Sequence, residues 1–302
     1  MSNINFDWKT YINNYEDLKK AGINTKEKAL QHWNNHGKKE GRTDKNIHHN
    51  IIIKKNFIIK KLDNIELNDI KNIINKNIIV ITSKIIVTQN KFTYVNTRSI
   101  YSEEERFNQT IETINSIKKY IPDYYIILFD NSKLDDKKKY ILINIVNKFI
   151  NIIDDDNLNH NTDVCDLKLI GELSQHISLY DNYLKYIDFS KNKNYFKISG
   201  RYVINNTFNY NNYNNNLIIF KRNMELKHIK YYYTSFFKIN ITNINYFYEK
   251  MKEIILKYPY EELKKYDYEV LIPKILEDKI QLVNNLGITQ RIAVWNKNTI
   301  NI

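Results

Sequence analysis

A serine, a glycine and an arginine end an apolar run in the segment 195–202. Ser199, Gly200 and Arg201 together supply a small polar side chain, a point of close backbone approach and a fixed cation. An arginine at the end of a buried strand can neutralise a phosphate through paired hydrogen bonds. The same letters also fit a strand that ends at a glycine bulge beside a surface arginine.

Polar residues also follow four other predicted strands. These are Thr82 and Ser83; Asp130, Asn131 and Ser132; the run 154–156; and Tyr233, Thr234 and Ser235. Ligands of open α/β sheets bind beyond the carboxyl ends of the strands, so we expect these residues to surround one site. Asp130 would contact a base or ribose there, although a helix-capping turn also accounts for it.

Two groups have the residue types of a metal site. Asp154 and Asp156 could hold a divalent ion, although consecutive aspartates before an asparagine-rich stretch are also typical of a solvated turn. His32 and His36 are four residues apart, which is a metal-ligand spacing, but no third ligand follows them. Packing of both rings on one helix face is the favoured interpretation.

The elements that must position these residues alternate between strand and helix. Strands are predicted at 78–81, 124–129, 149–153 and 195–199, and helices at 102–121, 136–146 and 170–187. This alternation predicts an α/β fold with a mostly parallel sheet covered on both faces. No Gly-x-Gly-x-x-Gly occurs in it, so the dinucleotide-binding fingerprint is absent.

The pattern changes after Tyr202. Strands predicted at 217–221 and 231–239 are interpreted as antiparallel additions to the sheet. They are followed by helices at 243–257 and 263–271, with Pro259 and Pro273 as breaks, and by strands at 280–283 and 288–294 that close the sheet around Gly287.

The chain begins with a separate helical unit. Asp7 and Thr25 are predicted to cap two helices that end at Gly22 and Gly37. We therefore divide the chain into a helical module at 1–42, a linker at 43–76 and an α/β domain at 77–302. The linker is rich in Lys, Asn and Ile, with a strand near 57–62 and a short helix near 66–74.

Composition narrows the class of protein. Among 302 residues, Lys and Arg number 46 against 34 Asp and Glu, a formal net charge of +12, which favours acidic partners. The lysines are spread along the chain, which favours solvated lysine faces over nucleic-acid binding. The single Cys165 excludes an intrachain disulfide and a cysteine-cluster zinc site. With no signal peptide or apolar run long enough to span a bilayer, we expect a cytoplasmic protein.

Two resemblances add to this interpretation. The first concerns residues of the helical module, namely Asp7 to Leu18, Ala21 to Ile23, Ala29, His32, Trp33, Gly37 and Glu40 to Arg42. These residues resemble a helical module found beside or between glycosyltransferase domains of bacteria and large DNA viruses. Much of the remaining chain resembles a family of GT-A-like glycosyltransferases encoded by giant, Mimivirus-like viruses. The motifs lie at 98–110, 113–117, 130–132, 168–172, 197–202, 233–235, 268–269 and 286–288.

The second resemblance implies a GT-A-like mixed sheet and transfer of a sugar from a nucleotide-sugar donor to a glycan or protein acceptor. For a viral protein it implies the host cytoplasm or the virus factory. GT-A enzymes usually hold a divalent Mn or Mg ion with an Asp-x-Asp strand end. Ser199, Gly200 and Arg201 stand at the position expected for that motif, which leaves metal dependence open.

The roles of the individual residues are our own hypotheses. Arg201, with Arg98 or Lys197, would neutralise the departing diphosphate. Glu269 would be the general base of an inverting reaction if burial raises its pKa, although its helix could equally show it to water. The remaining residues assigned to donor binding are Thr82, Ser83, Asp130, Asn131, Ser132, Gly171, Glu172, Ser199, Gly200, Tyr202 and Thr234.

Two alternatives belong to other classes. The chain could be a non-catalytic glycan- or nucleic-acid-binding protein that keeps the fold, an interpretation that the missing Asp-x-Asp favours. It could also be a nucleotidyltransferase, although the carboxylates of a two-metal site are not evident in the sequence.

Overall fold

The structure is a computed structural model that describes residues 6–42, 44, 70, 73–88, 90, 92, 95, 97–226, 228–258, 260–276, 280–291 and 299–302. The chain divides into two compact units, residues 1–55 and 56–302. This division falls inside the segment 43–76 that the sequence suggests as a linker. The strand predicted near 57–62 and most of the helix near 66–74 lie outside the described residues.

The described residues of the first unit form three short helices. They are α1 (Trp8–Asn14), α2 (Glu16–Lys20) and α3 (Lys26–His32), and a π-helical turn at Trp33–Gly37 follows them. Asp7 and Thr25 cap α1 and α3 as predicted. The prediction of one helix that starts after Asp7 and ends at Gly22 is wrong, because the backbone of Tyr15 is extended and separates α1 from α2. His32 Nδ1 lies 2.8 Å from the hydroxyl of Tyr11.

The second unit is built on a seven-stranded mixed sheet in the order β10-β6-β9-β4-β1-β2-β3. The strands that run parallel to one another are β1 (Asn77–Ser83), β2 (Tyr124–Asp130), β3 (Lys148–Asn151) and β4 (Asn194–Ser199). Every residue of β1 is buried, as a central strand with both faces covered requires. The predicted parallel half of the sheet is therefore confirmed.

The other strands are β5 (Val203–Ile204), β6 (Ile218–Phe220), β7 (Arg222–Leu226), β8 (Ile229–Tyr232), β9 (Phe236–Ile239), β10 (Ile280–Leu282), β11 (Ile288–Arg291) and β12 (Thr299–Asn301). β9 is antiparallel to β4 and to β6, and β10 continues the sheet beyond β6. β7 and β8 form a hairpin, while β5, β11 and β12 form a separate three-stranded sheet.

The helices of this unit are α4 (Glu103–Tyr120), α5 (Asp136–Ile145), α6 (Asp156–Asn159), α7 (Lys168–Asn182), α8 (Ile244–Lys257), α9 (Tyr260–Leu263) and α10 (Tyr268–Ile275). α4 begins with the predicted capping box, in which Ser102 and Glu105 bond to each other's backbone N–H. Its apolar residues Phe107, Ile114 and Ile117 share a core with β1. α4 thereby covers one face of the sheet and carries its buried polar side chains to the end of β1.

Several predictions for the second half are wrong. The strand expected at 231–239 is divided into β8 and β9, because Thr234 and Ser235 turn the chain and bond through their carbonyl oxygens to β4. β11 joins β5 and β12 and does not close the main sheet. Pro273 lies within α10, where its ring removes only one backbone N–H from a short helix.

No helix among the described residues is both long and apolar enough to cross a membrane.

Candidate functional site

A pocket of about 780 Å³, counting its open mouth, lies at the carboxyl ends of β1 and β4. Its lining consists of Thr82, Ser83, Lys84, Val87, Phe92, Arg98, Arg106, Thr162, Lys168, Gly171, Glu172, Gln175, Ser199, Gly200 and Arg201. The structure thus brings together eight residues that the sequence suggested for a site: Thr82, Ser83, Arg98, Gly171, Glu172, Ser199, Gly200 and Arg201.

The floor of the pocket is formed by the adjacent ends of two parallel strands. Thr82 pairs with Ser199, and the N–H of Gly200 donates to the carbonyl oxygen of Thr82 at 3.0 Å. The hydroxyl of Thr110 on α4 donates to the carbonyl oxygen of Gly200 at 3.0 Å. A Cβ on Gly200 would lie 3.1 Å from Ser83 Cβ. Glycine therefore allows the two strand ends and α4 to meet.

Arg106 of α4 places a buried guanidinium at this pocket. Its Nε and Nη2 donate to the carbonyl oxygen of Lys84, and its Nη1 donates to Ser99 Oγ at 3.2 Å. Burial and then the nearby charge of Arg201 lower the pKa of Arg106 to about 9, which leaves it protonated at neutral pH. Sequence reasoning missed this residue, because its position in α4 looks like that of any surface arginine.

Arg201 is half-buried beyond the end of β4. Its Nη1 donates to the carbonyl oxygen of Arg291 at 3.4 Å, and its guanidinium carbon lies 5.5 Å from the ring centre of Tyr202. Within the part of the chain that the structure describes, neither Arg201 nor Arg106 forms an ion pair with a carboxylate. Two guanidinium groups that are not ion-paired make this part of the pocket suited to an anion.

Arg98 also lines the pocket, but its donors are engaged with the backbone. They reach the carbonyl oxygens of Asn90 (3.0 Å), Thr162 (2.8 Å) and Cys165. The guanidinium lies over the ring of Phe92, 4.2 Å from its centre. Arg98 therefore ties together the segments on this side of the pocket, which differs from the diphosphate contact expected from the sequence.

The carboxylate that α7 contributes to the pocket belongs to Glu172. Its Oε1 lies 3.4 Å from Lys168 Nζ. Its Oε2 is buried and has no hydrogen-bond partner among the described residues. A buried carboxylate oxygen without a partner is costly, so a bound group that donates a hydrogen bond would be favourable there.

Glu269, the general base expected from the sequence, is outside the pocket lining. Its Oε1 lies 3.4 Å from Lys168 Nζ, so that ammonium contacts both Glu172 and Glu269. Burial is the largest influence on the pKa of Glu269 and acts to raise it, but the charge and hydrogen bond of Lys168, a backbone hydrogen bond and the charge of Lys197 together outweigh burial, and the pKa falls below its ordinary value. The expectation of a raised pKa is wrong.

Asp130 and Ser132 bind backbone N–H groups and do not line the pocket. The fully buried carboxylate of Asp130 accepts from the N–H of Ile85 at 2.9 Å and of Ser132 at 2.6 Å. Ser132 Oγ accepts from the N–H of Ile86 at 2.9 Å. These residues hold the segment after β1, and Asp130 does not cap a helix, because the N-cap of α5 is Asp135.

Asn131 belongs to a buried amide network beneath the same segment. Its side-chain oxygen accepts from Gln175 Nε2 at 3.1 Å, and that Nε2 also donates to the carbonyl oxygen of Ser83 at 2.8 Å. Asn131 Nδ2 donates to Asn159 Oδ1 and Thr162 Oγ1. Asn131 therefore supports the pocket without lining it, and Gln175 is a lining residue that sequence reasoning missed.

Lys197, Thr234 and Tyr202 also lie outside the lining. The ammonium of Lys197 is buried and donates to Ser199 Oγ at 2.8 Å and to the carbonyl oxygen of Thr234 at 2.9 Å. Burial lowers the pKa of Lys197 to about 8. Tyr202 packs in the core, and its hydroxyl lies 3.4 Å from Gln290 Nε2.

The aspartates suggested for a metal site do not form one. Asp155 is buried and caps α6 by accepting from two backbone N–H groups, while Asp154 and Asp156 are exposed. No group of three or more His, Cys, Asp or Glu side chains suited to a metal occurs among the described residues. The strand end where a GT-A metal motif is expected carries the guanidinium of Arg201. Because divalent Mg and Mn prefer oxygen ligands, this donor set does not fit such an ion.

No family model and no curated protein matches this chain. Among solved structures, the glycosyltransferase GlyE of Streptococcus pneumoniae TIGR4 matches with 9% identity and a TM-score of 0.42, covering 70% of this chain and 45% of that chain. The mannosyltransferase Ktr4p of S. cerevisiae matches with 11% identity and a TM-score of 0.37, covering 70% of this chain and 69% of that one.

A cytidylyltransferase from Leptospira borgpetersenii matches with 7% identity and a TM-score of 0.36, covering 70% of this chain and 77% of that chain. Of the GlyE structure described above, this chain spans less than half the length. At these identities and scores the matches concern architecture alone, and no activity is assigned from them.

Proposed function

We propose that this chain is a glycosyltransferase that moves a sugar from a nucleotide-sugar donor to a glycan or glycoprotein acceptor. The observation that carries the proposal is that Arg106 and Arg201 line one strand-end pocket and that neither guanidinium is ion-paired with a carboxylate among the described residues. The resemblance to GT-A-like glycosyltransferases supports the same assignment. We assign the reaction to residues 77–302, with 1–42 as an accompanying module, and to the cytoplasm.

The chemistry requires positive charge at the leaving group. The acceptor oxygen forms a bond to the anomeric carbon of the sugar while the bond from that carbon to the diphosphate oxygen breaks. The electron pair of the broken bond leaves with the diphosphate, and the proton of the acceptor hydroxyl passes to a carboxylate of the site. Arg106 and Arg201 stabilise this developing charge directly, and no step depends on a metal ion.

We assign the carboxylate beside the sugar to Glu172 in place of Glu269. Glu172 lines the pocket, and its Oε2 is buried with no partner among the described residues. A sugar or acceptor hydroxyl would satisfy that oxygen by donating a hydrogen bond to it. Glu269 bonds to Lys168 outside the lining and supports the position of that ammonium.

The test is a donor assay with the full-length chain. Transfer and hydrolysis are measured with UDP-, GDP- and dTDP-sugars, with CMP-sugars as the single-phosphate contrast, in the presence and absence of EDTA. We expect turnover of one diphosphate donor and no loss in EDTA. R201A should lose about 10²-fold in turnover, because removal of a charge-assisted contact costs about 1.5 to 3 kcal/mol.

The matched control is R291A. The Arg291 guanidinium is ion-paired with Glu112 and lies outside the pocket lining, so turnover should be retained. E172Q should reduce turnover far more than E269Q does. Binding without turnover of any donor would favour the non-catalytic alternative, and absence of any donor binding would refute the proposal. Loss of turnover in EDTA would refute the role given to the arginines.

A further inference from the structure

Lys197 and Ser199 lie on the same face of β4, two residues apart, but only Ser199 lines the pocket. Lys197 is 3% exposed. Its Nζ is 2.8 Å from Ser199 Oγ and 2.9 Å from the carbonyl oxygen of Thr234. A buried ammonium is thus connected to the pocket through one serine hydroxyl.

The chemistry of these groups fixes the direction of that hydrogen bond. A protonated lysine has donors only, so Ser199 Oγ must be the acceptor. The single hydroxyl proton of Ser199 is then free to be donated elsewhere. No other hydrogen bond of Ser199 Oγ occurs within the described ranges. Because Ser199 lines the pocket, a bound ligand can supply the acceptor.

The ammonium of Lys197 has little to compensate its burial. Among the described residues, no carboxylate lies within ion-pair distance of it, and the rings of Phe237 and Tyr268 are 5.8 and 5.9 Å from its Nζ. The carboxylates of Glu172 and Glu269 attract this ammonium only from beyond ion-pair distance, and its hydrogen bonds go to neutral oxygens, so its burial remains destabilising. Retaining it is understandable if the charge acts on something in the pocket.

We propose that Lys197 is a positioning residue that fixes Ser199 as a hydrogen-bond donor to a phosphate oxygen of the ligand. This rests on the proposed function only for the identity of the ligand as a diphosphate. Lys197 itself makes no contact with the ligand. Its charge acts through the serine hydroxyl, which it polarises toward the pocket.

Titration of Lys197 should make this effect depend on pH. The charged and titratable groups near Lys197 are Lys168, Glu172 and His176 on α7, Tyr268 and Glu269 on α10, and Arg201 beyond β4. With burial lowering the pKa of Lys197 to about 8, the ammonium is present at pH 7 and largely lost at pH 9.5. A neutral lysine amine can accept a hydrogen bond from the hydroxyl of Ser199, which would turn that hydroxyl away from the pocket.

Lys238 offers a matched control. It is also buried, and its Nζ donates to the carbonyl oxygens of Asn215 and Leu217 and to Asn215 Oδ1. Burial lowers its pKa to about 8, as for Lys197. None of its hydrogen-bond partners lines the pocket.

The experiment measures binding of inorganic pyrophosphate to the full-length chain by calorimetry at pH 7. We expect K197M and S199A each to weaken binding about tenfold, the cost of one hydrogen bond to a charged group. The double variant should be no weaker than either single variant, because both remove the same interaction. K238M should bind as the wild type does. The affinity advantage of the wild type over S199A should disappear between pH 7 and pH 9.5.

Additive losses in the double variant, full affinity in K197M, or no pyrophosphate binding by the wild type would each overturn the proposal. If K197M does not fold, as judged by circular dichroism, the proposal is tested by the affinity advantage of the wild type over S199A at pH 7 and pH 9.5. An advantage that is unchanged at pH 9.5 would overturn the proposal. If K197M, S199A and the double variant lose the same pyrophosphate affinity but the chain turns over no nucleotide sugar, the proposed function is refuted and this inference stands. If the chain turns over a nucleotide sugar but the affinity losses of the two single variants add in the double variant, only the inference is refuted.

Discussion

Two lysines of the central sheet, Lys197 and Lys238, are buried at 3% and 1% exposure. Each ammonium is held by neutral oxygens, and among the described residues neither forms an ion pair. Burial lowers the pKa of both to about 8, from an ordinary value of 10.5. The charged form is therefore less stable in the folded chain than in the unfolded one.

These lowered pKa values predict that the free energy of unfolding increases with pH in the alkaline range. Between pH 8 and 10.5 the unfolded chain binds protons at these lysines that the folded chain does not, so the free energy of unfolding rises with pH. The gain is absent below about pH 8 and complete above about 10.5. Each lysine should contribute up to about 1 kcal/mol per pH unit. Urea unfolding of the wild type, K197M and K238M at pH 7, 8, 9 and 10 measures this.

The contribution of each lysine is the difference between the wild type and its variant in the slope of the free energy of unfolding against pH. Taking this difference cancels the titration of all other groups. A wild type whose slope equals that of both variants would contradict the prediction. Buried tyrosines act in the opposite direction, since burial raises the pKa of Tyr195 and Tyr213, so the comparison is made at or below pH 10.

The strand-end residues of the pocket were predictable because parallel strands end at a common edge. The order of the elements was therefore enough to predict that the pocket contains Thr82, Ser83, Ser199 and Arg201. Arg106 could not be predicted, because its burial depends on how α4 packs against the segment after β1. The partners of Asp130 and Arg98 depend on loop conformation, which local patterns do not determine.

At the scale of elements, the turn before β11 depends on a single glycine. Gly287 has φ +71°, and its carbonyl oxygen accepts from the N–H of Asn205 at 2.8 Å. A Cβ there would lie 2.4 Å from Phe208 Cα and 2.7 Å from Phe208 N. Both conformation and contact thus exclude a side chain, and the obstructing atoms are backbone atoms that cannot rotate away.

We predict that G287A lowers the free energy of unfolding by about 3 kcal/mol, combining left-handed strain with displacement of the 205–208 segment. The melting temperature should fall by roughly 6 to 12 °C. G41A is the control, because Gly41 has φ +67° but a Cβ added there would meet no atom within 4 Å, so it should cost only about 1 kcal/mol. Equal costs for the two variants would show that contact with Phe208 is unimportant.

The elements of the parallel half were predictable because buried strands and capped helices leave strong local patterns. α4 has its capping box and β1 its continuous apolar run. The second half was less predictable, since the division between β8 and β9 depends on carbonyl contacts to β4. The assignment of β11 to a second sheet likewise depends on pairing with β5, a strand of two residues.

For the whole molecule, a net charge of +12 could attract any polyanion, so a local site must be distinguished from a general field. A general field acts through exposed charges, which salt screens over about 8 Å at physiological ionic strength. Arg106 is buried and Arg201 is half-buried, so salt should screen their interaction with a ligand less. The two kinds of binding should therefore respond differently to salt.

We predict that pyrophosphate affinity falls less than about tenfold between 50 and 200 mM NaCl, while affinity for duplex DNA falls by about 10³-fold or more, as contacts to several phosphates require. Calorimetry and fluorescence anisotropy measure the two. R201A should weaken pyrophosphate binding and leave DNA binding unchanged, because one pocket residue adds little to the field of 46 basic side chains. DNA binding that persists at 200 mM and is displaced by pyrophosphate would instead make the pocket a nucleic-acid phosphate site, the interpretation that the scattered lysines disfavour.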